Sequence, residues 1–183
     1  VEKLHPRSSL LFRSNAYKTK TLASNVTQVI IVLATTPSFY EALLNRCLIA
    51  AEAANIKALI VLNKCDLADN DNAKQRLALY TALGYQVLPL SAKEDISTLR
   101  PYLQGEVSIL VGQSGMGKSS LINVLVPDAK ATIGKISHYL DTGRHTTTTV
   151  QAYQQDADTT IIDVPGLQVF GLSHLSDEQI LLA

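Results

Sequence analysis

The chain has 183 residues, of which 46% are hydrophobic and 17% charged. This suits one α/β domain with a sizeable core and excludes wholesale disorder. Sixteen Lys and Arg balance 16 Asp and Glu, so bulk charge gives no argument for nucleic-acid or membrane binding. No apolar run approaches the ~20 residues needed to span a bilayer, and the start lacks a signal-peptide pattern. Cys47 and Cys65 stand far apart without metal-ligand spacing, which fits a reduced, cytoplasmic protein.

Residues 1–26 read as irregular and locally basic, with "SSLLFRS" (8–14) a possible short strand. From there strands and helices alternate. "QVIIVLAT" (28–35) is a continuous buried-strand run rich in β-branched residues. Residues 37–55 open with Pro-Ser and carry Leu43, Cys47, Ala50 and Ala54 at helical spacing. Strand 57–64 follows, then helix 71–84 ending on Gly84, then strand 86–92, in which Pro89 points to an edge. A short helix (95–103), a strand (107–112) and a helix (117–126) stopped by Pro127 come next. After an irregular stretch, strands 148–154 and 159–165 are expected, and "DEQILLA" reads as the middle of a helix. Such alternation predicts an α/β fold, a mainly parallel sheet with helices on both faces, whose ligands bind at the carboxyl ends of the strands.

"GQSGMGKS" (112–119) matches G-x-x-x-x-G-K-[ST] between a predicted strand and a predicted helix, the context that a phosphate loop requires. Its backbone, from Gly112 through Gln113, Ser114, Gly115, Met116 and Gly117 to Ser120, would converge N–H groups on phosphate oxygens at a helix N-terminus. Lys118 would reach the β- and γ-phosphates, and Ser119 would hold Mg²⁺.

About fifty residues earlier, "NKCD" (63–66) closes the second strand run. Guanine presents two donors on one edge, and the Asp66 carboxylate could accept both. Asn63 would bond the other side of the purine, and the stem of Lys64 would cover a ring face. "SAK" (Ser91, Ala92, Lys93) ends the next strand, where the Ala92 N–H could meet the guanine carbonyl. The alternative for "NKCD" is a polar connection of common loop residues, and "SAK" at the end of the next strand with a phosphate loop after it favours guanine recognition.

"DVPG" (163–166) ends the last strand. Asp163 could hold Mg²⁺ through a water, and Gly166 could donate to the γ-phosphate, contacts that disappear once that group leaves. Leu167 follows where many GTPases place a glutamine that orients water. "TGRHTTTT" (142–149) offers substitutes, with His145 able to position or deprotonate water and Thr147 the favoured metal ligand among the threonines. The bland reading is a strand start with a solvated histidine.

In this order, "NKCDLAD", "LSAKED", "VGQSGMGKSSLIN", "TGRHTTTT" and "IIDVPGLQVFGL" resemble the circularly permuted P-loop GTPases. They are most similar to the ribosome small-subunit-dependent GTPase A family (RsgA/YjeQ), which "GRHTTT" separates from other permuted GTPases. The resemblance implies hydrolysis of GTP to GDP by a late maturation factor of the small ribosomal subunit, stimulated by that subunit. It implies GTP/GDP and Mg²⁺ as ligands, the subunit and its rRNA as partners of the full-length protein, no membrane, and a monomer. It makes His145 the substitute for the missing glutamine. Gly115 stands where potassium-activated relatives carry Asn, so the loop gives no support to potassium dependence. It further implies that residues 1–20 are the remnant of an oligonucleotide-binding-type barrel and linker, 21–172 the permuted GTPase domain, and 173–183 the start of a C-terminal domain. That last domain binds Zn²⁺ in the family, and its ligands are absent from this chain. The alternatives are a GTP-dependent binding module with incidental hydrolysis, a large-subunit permuted GTPase, and an ATP-using P-loop enzyme.

Overall fold

A computed structural model describes residues 6–14, 19–67, 70–127, 150–164 and 171–183. The most apolar run of the chain becomes the middle of the sheet. Strand β3 (Gln28–Ala34) is buried at every position. It pairs in parallel with β4 (Lys57–Asn63) on one side and β6 (Val107–Val111) on the other. A strand covered on both faces needs apolar residues throughout, which is why this run lacks alternation. Among the described residues the sheet order is β5-β4-β3-β6-β8-β7, with β5 at Gln86–Pro89, β7 at Gln151–Gln154 and β8 at Thr160–Asp163. All neighbours are parallel except β7, which runs antiparallel to β8 along one edge.

Helices α1 (Glu41–Ala53) and α2 (Asn70–Ala82) connect β3 to β4 and β4 to β5. Helices α3 (Arg100–Leu103) and α4 (Lys118–Leu125) lie on connections that run the other way across the sheet. Right-handed crossovers therefore place the two pairs on opposite faces. The strand order reverses between β3 and β6, and their carboxyl ends open a crevice there.

At the amino ends, three neighbouring strands share one knot. Thr27 donates its N–H to the Val107 carbonyl (3.0 Å) and accepts the Lys57 N–H on its own carbonyl (3.2 Å). Its hydroxyl accepts the Val107 N–H at 2.9 Å and donates to Glu106, which also pairs with Lys57 at 2.6 Å. Lys57 is 71% exposed, so the ion pair itself adds little and the backbone bonds carry the tie.

Several boundaries differ from the sequence expectation for identifiable reasons. The stretch read as irregular contains strand β2 (Thr19–Ser24), paired antiparallel with β1 (Leu10–Ser14). Leu11 and Leu22 are its apolar payload, both buried in the common core. Since β2 crosses residues 20 and 21, a unit boundary drawn there cuts a strand. Helix α1 starts at Glu41 rather than 37 because Ser38 and Phe39 are held outside the helix by the Arg76 guanidinium. Helix α3 is four residues long, since the Asp95 carboxylate accepts the Ser97 N–H (2.8 Å) and hydroxyl (2.7 Å) and makes a turn where helix was expected. Pro89 ends the edge strand β5. The terminal helix α5 (Asp177–Leu182) begins with a reciprocal capping box between Ser176 and Gln179 and packs on α1. No helix among the described residues is long and apolar enough to cross a membrane.

Candidate functional site

The loop after β6 adopts a backbone open to few residues other than glycine. Gly115 and Gly117 have φ of +82° and +89°, and Gly112 has +150°. A Cβ on Gly112 would overlap the Val32 carbonyl oxygen, and one on Gly117 would overlap the Asn63 amide nitrogen. The glycines thus let the loop pack closely against β3 and Asn63, and the loop delivers Gly117 as the left-handed N-cap of α4. Lys118 is only 7% exposed. Its ammonium donates to the Gly112 carbonyl at 2.8 Å and the Gln113 carbonyl at 3.0 Å. Burial pulls its pKa down to about 8, opposed by the nearby Asp163 carboxylate. Met116 is buried, Ser114 is exposed, and Ser119 and Ser120 are half-buried at the start of α4.

The other loops meet this cradle at the same sheet end. Asn63, the last residue of β4, is 1% exposed. Its amide donates to the Met116 carbonyl at 2.9 Å and accepts the Ala92 N–H at 3.0 Å. One side chain therefore stitches the phosphate-type loop to the "SAK" turn, and Asn63 and Ala92 satisfy each other here. Asp66 accepts the Ser91 hydroxyl at 2.8 Å, and that hydroxyl accepts the Lys93 N–H at 3.2 Å. The Ser91 hydrogen bond holds the Asp66 carboxyl below its usual range, against a small burial effect and with help from Lys93 and Lys64. Ser91 thus holds the Asp66 carboxylate in place. Lys64 takes φ of +65°, and its ammonium donates to the Thr36 carbonyl at 2.7 Å.

Asp163 closes the crevice from β8. Its partner across the ladder is Leu110, two residues before the loop. Burial raises its pKa, while Lys118 lowers it. Together Ser119 and Asp163 supply hard oxygen donors beside a cradle for anions, a donor set that fits Mg²⁺ rather than a soft metal. Gly112 to Ser120, Asn63 to Asp66, Ser91 to Lys93 and Asp163 are therefore brought to one end of the sheet. His145, Thr147, Gly166 and Leu167 lie outside the described residues.

A sequence model described as RsgA GTPase matches residues 4–173. The chain belongs to that family. It is 54% identical over 181 residues to the small ribosomal subunit biogenesis GTPase RsgA of Nitrosospira multiformis, covering 98% of this chain and 58% of the relative. The protein of the same name from Neisseria meningitidis serogroup C is 51% identical over 175 residues, covering 96% and 57%. The chain thus spans a little under three fifths of the length of these curated relatives. Among solved structures, YjeQ from Thermotoga maritima superposes with a TM-score of 0.66 at 32% identity, covering 90% of this chain and 54% of that one. YloQ, a circularly permuted GTPase, gives 0.64 at 24% identity, covering 98% and 63%, and supports the fold alone. The RsgA family assignment explains the motif order. Along the chain the base-reading loop after β4 precedes the phosphate-type loop after β6, and both open at the same end of the sheet.

In this member of the RsgA family, two hollows of about 410 and 530 Å³ lie at the opposite, amino end of the sheet, one beside Arg100 and Thr159 and one beside Lys57 and Leu83. Neither holds a motif residue. Sequence reading missed Thr35, Thr36, Asn70 and Arg76, all of which touch the loops of the site or the segment behind them. Their residue types carry no motif, and only spatial neighbours reveal them.

Proposed function

We propose that the chain is the GTP-binding and hydrolysing part of a cytoplasmic maturation factor for the small ribosomal subunit. The observation that carries this reading is Asn63, which fastens a phosphate-type loop to a guanine-type loop and so makes one nucleotide site of both. The name that its relatives carry, small ribosomal subunit biogenesis GTPase RsgA, supplies the ribosomal context. The Asp66 carboxylate accepts the two donors of the guanine edge, and the N–H groups from Gln113 to Ser119 receive the phosphates. Lys118 exchanges its loop carbonyls for phosphate oxygens on binding. Mg²⁺, held by Ser119 and Asp163 with Thr147, would neutralise charge developing between the β- and γ-phosphates. Gly166 donates to the γ-phosphate, and His145 orients or deprotonates the attacking water in place of the residue that Leu167 cannot supply. The whole protein works as a monomer that contacts rRNA of the subunit.

Phosphate release by the whole protein, with and without small subunits, tests the reading. Stimulation by subunits and a strong preference for GTP over ATP are expected; no stimulation, or equal use of ATP, would sink it. His145→Ala is expected to slow single-turnover hydrolysis on the subunit by about 10²- to 10⁴-fold, the usual scale of a lost acid–base or water-positioning group. An unchanged rate removes His145 from catalysis and favours the reading of a GTP-dependent binding switch.

Ser91→Ala gives a finer check. Loss of one hydrogen bond to a charged acceptor is expected to weaken GTP and GDP equally, by about 3- to 10-fold. Base reading needs the ionised Asp66, whose pKa the Ser91 hydroxyl depresses. Removing that donor raises the pKa, so the acid loss of nucleotide binding moves to higher pH. Fluorescent-GDP titrations between neutral and acid pH read both effects; identical acid limbs would refute the role given to Ser91.

A further inference from the structure

The connection between β3 and α1, residues 35–40, belongs to no nucleotide motif, yet it runs between the two loops of the site. The Thr36 carbonyl receives the Lys64 ammonium at 2.7 Å, and the Thr35 hydroxyl donates to the Lys64 carbonyl at 3.3 Å. On its other side, the Tyr40 N–H donates to Gln113 Oε1 at 3.3 Å. A Cβ on Gly115 would stand only 3.4 Å from the Pro37 ring, so connection and cradle are nearly in contact. Lys64 also sits in the left-handed region at φ +65°. A non-glycine residue persists there only when its surroundings over-determine it.

What fixes the connection is Arg76, from the second turn of α2. Its guanidinium donates Nε to Glu41 Oε1 (2.6 Å), Nη1 to the Ser38 hydroxyl (2.8 Å) and Nη2 to the Phe39 carbonyl (2.7 Å). The Cζ atom lies 4.1 Å from the centroid of the Phe39 ring, and that ring is buried. Only a planar fork can serve these three acceptors and stack at once. The start of α2 is itself tied to the base-reading loop, since Asn70 Nδ2 donates to the Cys65 carbonyl at 2.6 Å. The contacts close a ring: loop 63–66, helix α2, Arg76, connection 35–40, and back to Lys64.

We propose that Arg76 is a positioning residue for the nucleotide, acting through residues 35–40 as a brace that sets Lys64 against the purine and Gln113 beside the phosphates. This rests on the guanine-nucleotide reading given above. The brace touches neither the γ-phosphate nor the attacking water. It governs how long nucleotide stays, not how fast it is cleaved.

Stopped-flow release of fluorescent GDP from the whole protein tests this. Arg76→Ala is expected to speed release about 10-fold with association little changed, because interface losses fall mostly on off-rates. Arg76→Lys recovers only a small part, and Thr35→Val, which keeps shape and removes one donor, speeds release about 3-fold. Single-turnover hydrolysis at saturating GTP stays near the wild-type rate in all three. A role confined to tying helices together would lower the melting temperature and leave release from the folded protein unchanged, and that result overturns the proposal. If Arg76→Ala does not fold, unchanged release from Thr35→Val overturns it alone. Wild-type protein that binds no guanine nucleotide removes the underlying reading and the brace with it, whereas wild-type binding with unaffected variants removes the brace only.

Discussion

Gly117→Ala is expected to lower guanine-nucleotide affinity by about 10²- to 10³-fold while leaving the fold in place. A residue with a Cβ pays about 1–2 kcal/mol to enter the left-handed conformation that Gly117 adopts. The new methyl group would also overlap the amide nitrogen of Asn63. Moving that side chain breaks its bonds to Met116 and Ala92, and each buried group left unpaired costs about 1–3 kcal/mol. Both loops lose their alignment together. Gly84→Ala is the matched control. Gly84 has a similar φ of +95°, but a Cβ there meets nothing within 4 Å. It should lower the melting temperature through backbone strain alone and leave nucleotide affinity unchanged. Fluorescent-GDP titration beside thermal melting separates the two, and equal affinity losses in both variants would contradict the assignment of Gly117.

Asp66→Asn should exchange guanine for xanthine. The carboxylate would accept two N–H donors from guanine, and an amide placed there offers one acceptor and one donor. Xanthine keeps the ring N–H and replaces the amino group by a carbonyl, which matches that pair. A site built for specific donors rejects a mismatch by about 10⁴- to 10⁵-fold, so GTP should weaken by several orders of magnitude and XTP become the better ligand. Ser91 makes the exchange cleaner. Its hydroxyl donates to Asp66 Oδ1, and in the variant it would hold the amide oxygen and turn Nδ2 toward the base. Competition of XTP and GTP for labelled nucleotide reads the switch. Unaltered base preference would mean that "NKCD" does not read the base.

The motifs were legible because their spacing is set by local backbone needs. A glycine cradle must follow a strand and open a helix, and Gly112 and Gly117 do so at the fixed interval of the motif. The central strands were legible from unbroken apolar runs such as 28–34. Strand β2 was not, because only Leu22 of its "TKTLAS" is strongly apolar and its partner β1 supplies the remaining definition. The start of α1 was misplaced for a related reason. Its end is fixed by Arg76, 35 residues from Glu41 in the chain, and no local pattern carries that contact. For Asn63 the motif indicates a contact to the purine, and the packing adds what spacing does not carry, that its amide fastens two loops. Residue types announce which chemistry is available; only packing tells which group aims another.

The knot at the amino ends of β3, β4 and β6 bears on where this sheet can move. Thr27 and its neighbours fasten those strands at the end remote from the crevice, so the sheet resembles a fan closed by a rivet at its base. Ligand-driven displacement then grows toward the carboxyl rim, where the loops sit, and vanishes at the rivet. Amide exchange should be slowest around Thr27 and Val107 whatever occupies the crevice, and nucleotide-dependent changes should be confined to the rim.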